Sequence, residues 1–379
     1  MSPQPFRRYL WVVHLYLGVL LGGAFALLGL TGGFLVFYPE IDQILNPELR
    51  VKNQPMNEIK VQHFFDQLNA QFPKRQGVWR LEMPRSSDQV VYARYLKPEE
   101  KDPNLFEPLV VAMHPATAEV INARFWGDYV VTWVYNLHYS LLVGKIGTVL
   151  VSLLGVALLL SLSVGFYLWL PRGRHKLLKA LPKIRSGKQK RIYDLHGYAG
   201  AYSVCLLIML TVTGMGLATP QWFEPIVNRF SDRWIKHDVS VDVPVNEAVR
   251  IGADQAISVG LNLFPGSQLR WIEAPSKLHD SYMLRIKQVG EPSDRFPKTY
   301  VWVDSFSGQV LGARDAMKVS SGDIFFDWLH PLHNGEAFGW IGRWLVFLVA
   351  WIPAVLWITG LIRWRQKVKA KKYIIHRKV

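Results

Sequence analysis

The chain has 379 residues, of which half are hydrophobic and 13% aromatic, and its 44 Lys and Arg against 29 Asp and Glu give a net charge of +15. A chain this rich in large apolar side chains is not intrinsically disordered. Its single cysteine excludes an intrachain disulfide framework and the multi-thiolate ligation of zinc or iron–sulfur sites. The positive charge fits either a nucleic-acid-binding protein or a membrane protein with basic cytoplasmic loops.

Four long segments of the chain contain no charged side chain. They are residues 9–39, 146–171, 195–223 and 344–362. An α-helix needs about 20 apolar residues to cross the hydrocarbon core of a bilayer. We therefore predict a membrane protein with four transmembrane α-helices, over residues 9–38, 138–170, 195–219 and 333–363. A buried helix of a soluble core is the alternative for any one segment taken alone.

The basic residues are concentrated in segments that contain no acid. Arg7 and Arg8 precede the first helix, nine Lys or Arg lie in the loop 171–193, and eight lie between residues 363 and 379. By the positive-inside rule these segments are cytoplasmic, including the tail 364–379. We predict a bacterial inner-membrane protein with both termini in the cytoplasm. The rest of the chain carries slightly more acid than base, so the charge reports topology and does not indicate a nucleic-acid partner.

The two long segments between helices, 40–137 and 220–332, have the pattern of ordinary globular sequence and are predicted to lie in the periplasm. Each has one helical stretch, near 57–71 and near 246–259, followed by short strand-like runs. The runs are Val78–Met83, Gln89–Leu96, Pro108–Met113, Gln268–Glu273, Ser281–Lys287 and Tyr300–Val303. We interpret each segment as a small α+β module with one helix on an antiparallel sheet.

The two halves of the chain share residues at fixed offsets. With a shift of 182 residues the matched pairs are His14 and His196, Gly18 and Gly200, Thr31 and Thr213, and Gly32 and Gly214. With a shift of 195 they are His138 and His333, Gly144 and Gly339, Gly147 and Gly342, Gly165 and Gly360, and Trp169 and Trp364. Several ungapped matches within one helix argue against coincidence. We predict two tandem helix–module–helix repeats joined by the loop 171–193.

Four histidines occupy matched positions on the predicted membrane helices: His14 with His196, and His138 with His333. A lone histidine there is ordinarily an interfacial residue or an interhelical hydrogen-bonding group, but a duplicated fold can bring each pair together across its axis. Two facing imidazoles are the axial ligands of a b-type haem, so the pattern predicts two bis-histidine haems and two iron sites. His330 lies on the same helical face as His333 and is the alternative ligand on the outer side.

Other residues fit the same hypothesis. Gly18 and Gly200 follow their histidines by four positions and leave room for a porphyrin, although glycines also serve close helix packing. Arg8 and Arg191, together with Arg7, are candidates to meet haem propionates at the cytoplasmic surface. No C-x-x-C-H motif occurs, which excludes covalently attached c-type haem.

The motifs His14-Leu-Tyr-Leu-Gly18 and His196-Gly-Tyr-Ala-Gly200, with Thr31-Gly32 and Thr213-Gly214, resemble those of the PepSY-associated transmembrane family. The stretch Tyr300-Val-Trp-Val-Asp304 is similar to the end of a PepSY module. In the first half, His114 stands where Asp304 stands in the second, a departure from that pattern. The length and four-helix plan look most like the FoxB type of inner-membrane ferric-siderophore reductase. This resemblance implies two b haems and transfer of electrons from the cytoplasm to a ferric siderophore in the periplasm.

The sequence contains no G-x-G-x-x-G after a strand and no Walker motif, so an external electron donor is expected: quinol, reduced flavin or a partner reductase. The predicted function is a haem-dependent ferric-siderophore reductase that releases ferrous iron. The main alternative is a non-catalytic membrane protein whose periplasmic modules bind or restrain a partner such as a protease. A siderophore transporter ranks below both, because four helices with only histidines as buried polar groups offer little of a translocation path.

Overall fold

The computed structural model describes residues 4–52, 60–103, 105–170, 187–234, 249–276 and 280–376, with side chains described up to residue 370. It consists of a bundle of long apolar helices and a layer that contains a β-sheet. Most of the predicted basic loop 171–193, as well as His175, His237 and His279, lies outside the described residues.

The apolar helices fall close to the four predicted spans. They are α1 (Gln4–Leu20), α2 (Gly22–Val36), α6 (Gly144–Trp169), α7 (Lys188–Ala218), α11 (Gly339–Ala350) and α12 (Ile352–His376). Among the described residues, α6, α7 and the stretch 336–370 are each long and apolar enough to cross a bilayer. Helices α1 and α2 pass the same test together, with a bend of 59° between them. The structure therefore has the helices of a multi-pass membrane protein.

Helices predicted as continuous over 138–170 and 333–363 are interrupted in the structure. The short helix α5 (Val130–Ser140) ends where Leu141 and Leu142 adopt left-handed backbone conformations, and α6 starts after that turn. In the second half α10 (Ser321–His333) is followed by Gly335 at φ 80° and a 3-10 turn over Glu336–Phe338. His138 and His333 consequently lie on short helices that precede the spans.

Matched glycines allow these two tight turns. A Cβ on Gly147 would lie 1.6 Å from the carbonyl oxygen of Ser140, and a Cβ on Gly342 would lie 2.2 Å from that of Gly335. Since any side chain would collide with backbone at either place, only glycine lets each span pack against the end of the helix before it.

In the described part of the chain, eight strands form one antiparallel sheet, whereas the sequence predicted two separate modules. The strands are β1 (Trp79–Glu82), β2 (Val91–Tyr95), β3 (Leu109–Met113), β4 (Val120–Phe125), β5 (Gln268–Glu273), β6 (Ser281–Lys287), β7 (Thr299–Asp304) and β8 (Val310–Arg314). Their order is β4-β3-β2-β1-β5-β6-β7-β8. The first strand of each half pairs with that of the other, with Leu81 opposite Ile272. The four-stranded halves thus meet at a central β1–β5 seam.

The two faces of the sheet differ in chemistry because side chains alternate along each strand. One face is apolar and packs against α4 (Val61–Gln71) and α9 (Ala253–Leu263) in a single core. The other face carries arginines, glutamates and aromatic rings, and it lines a cavity together with residues of the membrane helices. Short helices α3 (Tyr38–Leu45) and α8 (Pro220–Val227) continue from the spans α2 and α7.

The central seam gives a first testable prediction. Ile272 is fully buried opposite Leu81, so Ile272→Val should lower the free energy of unfolding by about 1 kcal/mol through the lost methylene and the cavity it leaves. Chemical unfolding of the purified protein in micelles measures this change. Val289→Ala, at an exposed position, is the control and should have no effect. Equal unfolding midpoints for the two variants would show that the seam does not form as described.

Candidate functional site

His14 on α1 and His196 on α7 face each other across the helix bundle, at the end away from the sheet. The centres of their imidazole rings are 6.2 Å apart, and the ring planes make an angle of 77°. We call these residues the distal pair. The sequence match between them therefore corresponds to a spatial contact.

His138 on α5 and His333 on α10 form a second pair on the side of the sheet. Their ring centres are 6.1 Å apart, at an interplanar angle of 44°. We call these residues the proximal pair. His330 instead packs edge-on against Phe296, with ring centres 4.6 Å apart. Of the two histidines proposed for the outer side, His333 is the one placed opposite His138.

All four imidazoles are oriented by hydrogen bonds from Nδ1. In three of them the partner is a backbone carbonyl at 3.0 Å: Ser161 O for His14, Leu28 O for His138 and Leu210 O for His333. A carbonyl only accepts, so Nδ1 carries the hydrogen and Nε2 keeps its lone pair.

In the fourth histidine, His196, Nδ1 also donates its hydrogen, here to a hydroxyl oxygen. Nδ1 of His196 lies 2.9 Å from Oγ1 of Thr359, whose own hydrogen is donated to the carbonyl of Val355. Thr31 and Thr213 stand beside the proximal pair in a similar way, each with Oγ1 3.1 Å from Nδ1 of a histidine. Such outer contacts fix the tautomer and orientation of a metal-ligating imidazole.

A glycine of a neighbouring helix lies against each imidazole ring. A Cβ on Gly165 would be 2.8 Å from Cε1 of His14, and one on Gly32 would be 2.9 Å from Cε1 of His138. The matched positions repeat this: Gly360 against His196 at 3.5 Å and Gly214 against His333 at 2.9 Å. In three of the four places a larger residue would push the ring out of position, so these glycines set where the imidazoles stand.

Two cavities of about 300 and 820 Å³ flank the distal pair. Gly18 lines the smaller cavity and Gly200 the larger one, as expected of residues on the histidine faces of their helices. Arg8 and Arg7 line the larger cavity as well. Arg191 is exposed near the start of α7 and does not line this cavity. Its proposed contact with a haem propionate at the cytoplasmic surface stays a prediction.

Two cations that the sequence did not single out also border the distal pair. Arg363 and Lys367 on α12 line both cavities, and they lie over the rings of Tyr193 and Trp11 respectively. A signal for Arg363 was present, since it is the first charge after the last apolar segment and lies three residues after Gly360.

A cavity of about 650 Å³ separates the proximal pair from the charged face of the sheet. His138, His330 and His333 lie on the helix side. Six arginines line the cavity: Arg80, Arg85, Arg94, Arg285, Arg295 and Arg343. Aromatic side chains, among them Trp126, Tyr135, Trp271 and Phe296, complete the lining. The proximal pair therefore faces a large, cationic and aromatic space.

Glu82 is the counter-ion of two of these lining arginines. Its carboxylate accepts hydrogen bonds from Arg295 at 2.8 Å and from Arg94 at 3.0 Å, and all three residues are buried. Burial raises the pKa of the Glu82 carboxyl, and the charge of Arg94 opposes that shift. Burial likewise lowers the pKa of Arg295 to about 10, so its guanidinium stays charged at neutral pH. One buried carboxylate thus holds two buried cations.

The separation of the two rings in each pair is the one expected if both imidazoles held one metal atom. A metal–nitrogen bond of about 2 Å and the radius of an imidazole ring of about 1 Å place the centres of two coaxial rings about 6 Å apart. Both pairs have this separation. Within the described ranges no group of three or more His, Cys, Asp or Glu is arranged to hold a metal ion.

The comparison with known protein families agrees with the motifs around the histidines. No curated protein sequence matches the chain. The family described as PepSY-associated TM region matches residues 11–367, which include all four paired histidines and both halves of the sheet. Because this match covers nearly the whole chain, the protein belongs to the PepSY-associated TM region family.

Proposed function

We propose that the protein is a di-haem transmembrane oxidoreductase that passes electrons from the cytoplasm to the periplasm and reduces ferric iron in siderophores. The observation that carries the proposal is the pair of facing imidazoles at each end of the helix bundle, with ring centres 6.2 and 6.1 Å apart and Nδ1 engaged in every ring. Nε2 of each ring is then free to bind a metal.

His14 and His196 would hold one b-type haem, and His138 and His333 the other. When bound, each haem supplies one-electron redox chemistry at its iron. The chain orients the four imidazoles through Ser161, Leu28, Leu210 and Thr359, and it keeps space beside the rings through glycines. Open space on two sides of the distal pair suits a flat ring held between the imidazoles.

We infer that the chain consists of two tandem helix–module–helix repeats. In each half the fourth strand lies at the edge of the sheet and the first strand lies at the centre. Each half also supplies one histidine to each pair. The glycines that contact the imidazoles are matched between the halves as well: Gly32 with Gly214 at an offset of 182 residues, and Gly165 with Gly360 at an offset of 195. A twofold relation along the membrane normal accounts for all three observations.

The basic flanks of the helices support the orientation with both termini in the cytoplasm of a bacterial inner membrane. The distal pair then lies near the cytoplasm and accepts electrons from an external donor: quinol, reduced flavin or a reductase. The proximal pair and its cavity lie toward the periplasm, where the ferric siderophore arrives. Oxygen donors suit iron(III) better than iron(II), so reduction loosens the complex and releases ferrous iron.

Optical spectroscopy of the purified protein tests this proposal. We expect two haems per chain by pyridine haemochrome assay and a reduced-minus-oxidised spectrum typical of low-spin b haem. Addition of a ferric siderophore to the reduced protein should reoxidise both haems. A colourless protein would refute the proposal and favour the non-catalytic alternative, a module that binds or restrains a protease.

Gly18 provides a selective test of the distal haem. No atom lies within 4 Å of a Cβ placed on Gly18, so a leucine there enters the open cavity without straining the fold. The same leucine fills space that a macrocycle beside His14 needs. We expect Gly18→Leu to halve the haem content while the yield and unfolding midpoint stay those of the parent protein.

Val156→Leu is the matched control, since Val156 is an exposed residue of α6 outside both distal cavities. It should keep two haems per chain. A Gly18→Leu protein that also kept two haems would show that the cavity beside His14 is not the haem site.

A further inference from the structure

We propose that the proximal cavity takes a ferric chelate of net negative charge and that Arg85 and Arg285 are the residues that select it. The assignment of the bound chelate as a substrate rests on the proposed function; the preference for an anion rests on the charges of the cavity alone.

The cavity has more cations than its own acids neutralise. Arg80 pairs with Glu273, and Arg343 pairs with Glu40 at 2.7 Å. Arg94 and Arg295 share Glu82, with Glu336 close enough to Arg295 to act on its charge. Asp294, the other acid in the lining, is paired with Arg270. These contacts account for the charges of four of the six arginines.

Arg85 and Arg285 form no direct ion pair with any acid of the described residues; Arg85 acts only at longer range on Glu82, which Arg94 and Arg295 already share. The Nε of Arg285 is buried without a hydrogen-bond partner, and its guanidinium lies 5.0 Å from the centre of the Tyr300 ring. Arg285 and Arg94 also act as like charges on Arg80, whose pKa is lowered, chiefly by burial. An anionic ligand would bind favourably among these arginines, because it pairs with guanidinium groups that lack a direct ion pair and reduces the repulsion between them.

The rest of the lining suits a chelate built from aromatic rings. Trp126, Trp271 and Phe296 line the cavity next to Arg94, which lies over both tryptophan rings. The volume of about 650 Å³ lies in the range of small-molecule sites. Phe106 and Trp340, which also line the cavity, are exposed, so the space reaches the molecular surface. A tris-catecholate complex of iron(III), which is trianionic and presents aryl rings, matches this combination of charge and surface.

Carboxylates of the haem at the proximal pair are another source of the same anionic chemistry. If Arg85 and Arg285 served only those carboxylates, their removal would change haem retention and leave the affinity for chelates unaffected. Haem content and chelate affinity therefore distinguish the two sources.

The test uses gallium(III) chelates, which match the iron(III) complexes in charge and shape but are not reduced. Calorimetric titration of the haem-loaded full-length protein would compare a trianionic tris-catecholate with a monocationic tris-hydroxamate. We expect at least about tenfold tighter binding of the trianionic complex. Arg285→Gln and Arg85→Gln should each weaken that complex about tenfold and leave the cationic one unchanged. Arg229→Gln, exposed and outside the cavity, is the charge-matched control and should bind like the parent.

Equal affinity for the two chelates, or loss of haem in Arg285→Gln with unchanged chelate affinity, would overturn the inference. The proposed function fails by a different result. If the gallium tris-catecholate binds as expected but the ferric complex does not reoxidise the reduced protein, the anion site stands and the reductase does not. If ferric chelates of every charge are reduced at the same rate and bind equally, the reductase stands and the charge selection does not.

Discussion

Replacing His333 with alanine should lower the haem content from two per chain to one and abolish reduction of an added ferric chelate. The ring centres of His333 and His138 are 6.1 Å apart, and an alanine would leave a haem held between them with one protein ligand. The distal pair does not contact this position, so the remaining haem should still be reduced by dithionite and show an unchanged low-spin spectrum. Haem quantification and stopped-flow reoxidation measure both effects.

Two control variants show whether the loss of haem is specific to His333 or follows the removal of any histidine. His330→Ala removes the ring that packs on Phe296 and should keep both haems, because His330 does not face His138. His63→Ala, on the exposed side of α4, should behave like the parent protein. A His330→Ala protein with one haem, beside a His333→Ala protein with two, would reassign the proximal ligand to His330.

The second large effect is expected in stability. Glu82→Gln replaces the carboxylate that Arg94 and Arg295 share by a neutral amide of the same shape, and it leaves two buried cations without their counter-ion. Breaking a buried ion pair on one side costs about 3–5 kcal/mol, so the free energy of unfolding should fall by about that amount. Chemical unfolding in micelles, followed by tryptophan fluorescence, measures the loss.

Glu273→Gln is the matched comparison, since Glu273 holds a single arginine, Arg80, in a more exposed position on the same face of the sheet. It should cost about 1 kcal/mol or less. A Glu82→Gln protein within 1 kcal/mol of the parent would mean that the two arginines do not depend on this carboxylate.

The sequence predicted the elements well where the pattern is local. The runs Gln268–Glu273 and Ser281–Lys287 coincide with strands β5 and β6, because alternation of apolar and polar residues is visible over five or six positions. The pairing of the histidines was also accessible, since the two offsets placed His14 with His196 and His138 with His333. The apolar segments, with no charge over 19 residues or more, located the spans.

What the sequence did not predict depends on contacts between distant parts of the chain. The β1–β5 seam joins residues almost 200 positions apart, and nothing in either strand alone distinguishes a partner in its own module from one in the other. The breaks after Ser140 and His333 follow from left-handed residues, and two of these, Leu141 and Leu142, have side chains that rarely adopt that conformation. Gly335 and Gly339 were the available signals for the second break.

The sequence indicated that glycines accompany the histidines, but it did not indicate which glycines contact the imidazole rings. The spacing of Gly18 and Gly200 places them on the histidine faces of their own helices, and both residues line the distal cavities. The glycines in contact with the imidazoles are on other helices, at Gly32, Gly165, Gly214 and Gly360. Their offsets were visible in the sequence, but which helix packs against which histidine is a property of the bundle.

The central seam also decides how the halves depend on each other during assembly. In a chain cut between α6 and α7, strand β1 would be an open sheet edge with free N–H and C=O groups, a surface that readily pairs with any complementary strand. The first half also holds only one histidine of each pair. Neither fragment would be complete. Each would need the other, or a second copy of itself paired at the β1 or β5 edge, to complete both its sheet and its histidine pairs.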